Sequence, residues 1–132
     1  MAKQRILIVQ DDFLLAAALQ SLIEDAGYEV VGIARDTAGA DRLARQHRPA
    51  LAIVDMMLEI DVDGVKTATA LKGAHGLEIL ITTGFPDWVS QREGVHKFAC
   101  AVVRKPYTDD EILQAMKRCL NGTPVQSATQ RS

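Results

Sequence analysis

Apolar residues along the chain alternate between two spacings. Short runs rich in β-branched side chains occur at Arg5–Val9, Glu29–Ile33, Leu51–Val54, Ile79–Thr82 and Ala101–Arg104. Runs this brief and continuous predict strands buried on both faces, as in a parallel sheet. Between them the period becomes that of a helix. Leu15, Leu19, Leu22, Ile23 and Ala26 stand at i, i+4, i+7, i+8 and i+11, with Gly27 placed as a stop. Ala40, Leu43, Ala44 and His47 repeat the pattern before Pro49, and Ile112, Met116, Cys119 and Leu120 make a last stripe. Thr108, with Glu111 three residues later, predicts a capping box at the start of that last helix. Narrower stripes predict third and fourth helices near Val65–Lys72 and Trp88–His96. Five strands alternating with five helices specify an α/β domain, with right-handed crossovers covering both faces of a parallel sheet. The domain is expected over residues 1–120. The tail at 121–132, "NGTPVQSATQRS", is polar and aperiodic and is expected to be disordered.

Composition narrows the function classes. A chain of 132 residues with a net charge of −2 fits one domain that advertises neither a nucleic-acid nor a membrane surface. No apolar run approaches the ~18 residues of a membrane span, and the N-terminus lacks signal-peptide features, so a cytoplasmic address is expected. The two cysteines, Cys100 and Cys119, have no metal-site or redox-motif spacing and read as reduced thiols. His47, His75 and His96 read as solvated side chains.

In an open parallel sheet, ligands bind outside the carboxyl ends of the strands. The residues just beyond each strand therefore define the candidate site. The first strand runs into Gln10, Asp11 and Asp12, and the third ends at Asp55. The fourth ends at Thr82, Thr83 and Gly84, and the fifth runs into Lys105 and Pro106. A lone strand-end Asp is often only a helix cap, and Asp11 or Asp12 fits that role. Asp55 does not, because the next helix is expected to begin only near Gly64. Carboxylates at one sheet edge suit a hard cation such as Mg²⁺, and a lysine with a hydroxyl suits a phosphoryl group. No Gly-rich phosphate loop is present. The simplest chemistry is phosphoryl transfer to Asp55 as nucleophile.

Together "ILIVQDDFLL", "LAIVDMML", "ILITTGF" and "VVRKPY" resemble the receiver domain of two-component response regulators over about residues 4–120, with Thr83 and Lys105 22 residues apart. The resemblance implies a flavodoxin-like (βα)5 three-layer sandwich and a stand-alone receiver. It also implies phosphorylation of Asp55 by a histidine kinase or phosphotransfer protein. Thr83 would hydrogen-bond the acyl phosphate, Lys105 would pair with a phosphoryl oxygen, and the Lys105–Pro106 peptide would be cis. Mg²⁺ would be held by Asp11, Asp55 and the main-chain carbonyl of Met57. A downstream effector protein would read the phosphorylated surface, and a homodimer is compatible with the family. No enzymatic activity beyond self-phosphorylation and self-dephosphorylation is expected.

The chain departs from the family pattern in several places. Helix register puts the family's acidic pair on Gln10 and Asp11, with Asp12 leading into the helix; in the alternative register Asp12 is itself a metal ligand. With Gln10 reaching the metal through water as an amide, Mg²⁺ is expected to bind more weakly. Val102 occupies the position of the aromatic that many receivers carry three residues before the lysine. The acceptor loop "DMMLEIDVDG" lacks the common proline and reads as long by one residue. Met57 and Phe85 are expected to flank Asp55 and restrict water. The competing function is a receiver-fold interaction module that works without phosphorylation.

Overall fold

A computed structural model describes residues 3–56, 61–84 and 99–121. Five strands, β1 (Arg5–Val9), β2 (Glu29–Ala34), β3 (Leu51–Met56), β4 (Glu78–Thr83) and β5 (Ala99–Arg104), form one sheet in the order β2-β1-β3-β4-β5. Every pairing in it is parallel. Four helices are described: α1 (Phe13–Asp25), α2 (Thr37–His47), α3 (Asp61–His75) and α4 (Asp109–Leu120). The expected helix at Trp88–His96 and the expected disordered tail beyond Asn121 lie outside the described residues.

The strands are continuous apolar runs because both faces are covered. Successive side chains point to opposite faces, and the two cores divide accordingly. Leu7, Val9, Ala52, Val54, Ile79 and Ile81 pack with Ala40, Ala44 and Leu71 on the face of α2 and α3. Ile6, Ile8, Leu51, Ile53 and Leu80 pack with Ala16, Ile23, Ile112 and Met116 on the face of α1 and α4. Both clusters are nearly dry.

Local chemistry sets the helix ends. The Asp12 and Asp36 side chains accept from the backbone N–H groups of Leu15 and Gly39, capping α1 and α2. The Thr108–Glu111 capping box opens α4 as expected. Gly27 lies just past α1 at φ 102°, a backbone state costly for any residue with a Cβ. Two expectations are corrected. Helix α3 begins at Asp61, not near Gly64. Cys100 and Cys119 are not free thiols but a disulfide, with Cα atoms 5.4 Å apart. The spacing of the two cysteines in the sequence does not reveal the pairing.

Candidate functional site

The pleat decides which side chains meet at the carboxyl edge of the sheet. On β3, Leu51 and Ile53 face α1 and α4, so Asp55 continues that row at the strand's end. Across the ladder Asp55 is in register with Thr82 and Met56 with Thr83. Thr82 therefore shares the face of Asp55, while Thr83 continues the row of Ile79 and Ile81. The Thr82 hydroxyl donates to Asp55 Oδ1 at 2.9 Å. The ammonium of Lys105 reaches the same oxygen at 2.6 Å.

This is a buried ion pair. The side chain of Asp55 is 7% exposed and that of Lys105 28%. Burying a charge is costly unless it is paired and hydrogen-bonded, and Lys105 and Thr82 supply both at one oxygen. Oδ2 has no hydrogen-bond partner among the described residues. Lys105 is positioned by its own backbone, whose N–H donates to the Thr83 carbonyl at 2.8 Å, and its peptide bond to Pro106 is cis, as expected.

Gln10 closes β1 with its backbone N–H on the carbonyl of Ala34, and it is 8% exposed. Its Oε1 accepts from the N–H of Asp12 at 3.0 Å. Asp12 in turn is the N-cap of α1. Asp12 is thus engaged as a helix cap, and Gln10 and Asp11 precede it at the end of β1. Asp11 stands in the same loop and is exposed. The Met57 carbonyl, Phe85 and the rest of the acceptor loop to Ile60 lie outside the described residues.

A cleft of about 470 Å³ opens over these groups. Gln10, Asp55, Thr82 and Lys105 line its polar end, and Leu15, Ala18, Leu22, Pro106 and Tyr107 its apolar walls. Burial, then the charges of Asp55 and Asp109, hold the Tyr107 phenol above its usual 10.0. Its hydroxyl is therefore neutral at physiological pH. Tyr107 carries no pattern in the sequence that marks it as a site residue.

Carboxylate oxygens and a side-chain amide suit a hard divalent cation in chemistry: Asp55, whose Oδ2 has no hydrogen-bond partner among the described residues, and Gln10 line the cleft, whereas Asp11 is not among the residues that line it. Among the described residues no three His, Cys, Asp or Glu side chains cluster, so the set is sparse in charge. The remaining departures fall elsewhere. Val102 packs against the core on the α2 and α3 face. His75 is not solvated: its side chain is 16% exposed and its Nε2 lies 2.8 Å from Asp41 Oδ1, joining α3 to α2. No helix among the described residues is long and apolar enough to cross a membrane.

A family model for the response regulator receiver domain matches residues 6–117. The chain is 30% identical over 118 residues to the transcriptional regulatory protein PdtaR of Mycobacterium tuberculosis, covering 86% of this chain and 55% of that protein. It is 33% identical over 114 residues to the transcriptional regulatory protein PhoP of Escherichia coli K12, covering 86% and 50%. The chain thus spans about half the length of the curated relatives it matches. The signal receiver domain of a modulated diguanylate cyclase from Desulfovibrio desulfuricans G20 superimposes with a TM-score of 0.74 at 30% identity, covering 91% of this chain and 95% of that one.

Proposed function

The chain belongs to the response regulator receiver domain family, and from that premise we propose that it accepts a phosphoryl group on Asp55 and signals through a surface that changes on phosphorylation. The observation that carries this reading is the state of Asp55. Its carboxylate is buried and anchored at Oδ1 by Lys105 and Thr82, with Oδ2 unpartnered among the described residues.

A carboxylate held in this way is oriented before the donor arrives. An Asp55 oxygen attacks the phosphorus of a phosphohistidine or a small acyl phosphate. The new bond is P–O, the broken bond is P–N or P–O to the donor, and the donor leaves with the electron pair. Lys105 balances the charge that builds on the phosphoryl oxygens. Thr83, at the end of β4, is the residue we assign to bind the finished acyl phosphate. A divalent cation such as Mg²⁺, when bound, neutralises phosphoryl charge; Asp11 and Asp55 would hold it, with Gln10 through a water and the main-chain carbonyl of Met57 as a further ligand. The donor is a histidine kinase or a phosphotransfer protein, and the recipient of the signal is an effector protein.

Incubation with acetyl phosphate and Mg²⁺ and then intact mass tests the reading. A gain of ~80 Da that disappears in Asp55→Asn is expected. No gain in the wild type would assign the chain to the interaction module that works without phosphorylation. Gln10→Glu keeps the acceptor for the Asp12 N–H and adds a charge. It should tighten Mg²⁺ binding by ~10-fold or more, read by titration of the unphosphorylated protein.

A further inference from the structure

The disulfide lies away from the phosphoacceptor, yet it closes the segment that delivers Lys105. Residues 79 and 99 pair across β4 and β5, and then 80 pairs with 101, so Cys100 is the extra residue of a bulge. Ala99 packs on the α2 and α3 face, so the pleat sets Cys100 on the opposite one, where α4 carries Cys119 in the core beside Met116. Their Cα separation of 5.4 Å is within the range a disulfide spans without backbone movement.

We propose that Cys100 and Cys119 are a reversible thiol–disulfide pair, oxidised by a low-molecular-weight disulfide of the glutathione class. The two sulfurs differ in the way that such exchange requires. Cys100 is exposed on the outer strand of the sheet, while Cys119 is 4% exposed. The outer thiolate meets the small disulfide first, and the inner thiol resolves the adduct. The reduced form also has its place. The carbonyl oxygen of Ile79 lies 3.0 Å from the Cys100 sulfur, so a thiol there has an acceptor ready for its proton.

The exchange balances. Cys100 loses its proton and attacks one sulfur of the oxidant, forming a mixed disulfide and releasing one thiolate. Cys119, losing its proton, displaces the second small thiol and closes the protein disulfide. Two protons and two electrons leave the protein, and one small disulfide becomes two small thiols. The closed ring runs from 100 to 119 and contains Lys105, the cis Pro106, Tyr107 and nearly all of α4. Oxidation therefore ties both ends of the segment whose ammonium holds Asp55. This inference stands apart from the phosphoacceptor reading, and its readouts involve no phosphorylation.

The test uses the whole chain, reduced and then exposed to oxidised glutathione at neutral pH. Intact mass should fall by ~2 Da with no adduct retained, and dithiothreitol should restore the reduced mass in the folded protein. Cys119→Ser should instead keep a glutathione adduct of ~305 Da on Cys100, and Cys100→Ser should stay unmodified. Amide exchange across residues 105–119 should be ~10-fold slower in the oxidised wild type, a comparison that needs no substitution. A stable adduct or disulfide-linked dimers in the wild type would overturn the pairing. A bond that dithiothreitol breaks only after unfolding would overturn its reversibility. Equal exchange in the two states would overturn the tethering of the Lys105 segment.

Discussion

The hydrogen bond from Thr82 to Asp55 offers the sharpest test of how the site is built. Thr82→Val removes the hydroxyl and keeps the branched shape. Thr82 is 2% exposed and the Asp55 side chain 7%, so water does not readily replace the lost donor. A hydrogen bond to a charged group contributes ~1.5–3 kcal/mol net. Because Lys105 still holds Oδ1 at 2.6 Å, the lower end applies, about 1.5 kcal/mol, or a fall in Tm of ~5 °C for a domain of this size. Urea unfolding should show the midpoint falling at constant slope. Asp55→Asn provides the second arm of a double-mutant cycle. Against an uncharged acceptor the same hydroxyl is worth less, so a coupling of about 1 kcal/mol is expected. If Thr82→Val matched the wild type within ~0.3 kcal/mol and the coupling vanished, Thr82 would not be a partner of this carboxylate.

Tyr107 should titrate above 10.0 in a Tyr28→Phe background, monitored by phenolate absorbance, and Asp55→Asn should bring the midpoint down. Because the folded state favours the neutral phenol, this contribution to stability is complete below the ordinary phenol value and is lost as pH rises through the raised one. The hydrogen bond from His75, together with the charge of Arg45, outweighs desolvation and holds the Asp41 carboxyl below 3.8. Its contribution is present above that value and lost as pH falls through the lowered one, and His75→Gln should raise the Asp41 midpoint in a carboxyl NMR titration. Thr108→Ala removes half of the capping box and should lower stability by ~1 kcal/mol in urea unfolding, with the spectrum of the folded state unchanged.

The strands were the most legible part of the chain because burial on both faces leaves an unbroken apolar run. Arg5–Val9 has the same bounds in the sequence reading and in the structure, while β3 and β4 extend further, to Met56 and Thr83. The polar ends of those strands carry the site, and there the apolar signal stops. The first turn of α3 gives no helical signal because "DVDG" is made of turn residues around one valine. Asp55 and Lys105 were legible from their positions at strand ends. The hydroxyl on Asp55 was not, since choosing between Thr82 and Thr83 requires the β3–β4 register, which no local pattern encodes. The disulfide was hidden for a related reason. Cys100 on β5 meets Cys119 only once α4 lies against the sheet, and 19 positions of sequence separate the two. Likewise, Asp41 and His75 meet only once α2 and α3 lie side by side.

The ladder irregularities have a further meaning. The inner strands β1, β3 and β4 pair with one another without interruption, whereas β2 and β5, the two outermost strands, each contain one supernumerary residue, Val31 and Cys100. An outer strand that is bent and overtwisted is a poor template for a strand from another molecule. Irregularity confined to the rims thus discourages open-ended stacking of copies through their sheets.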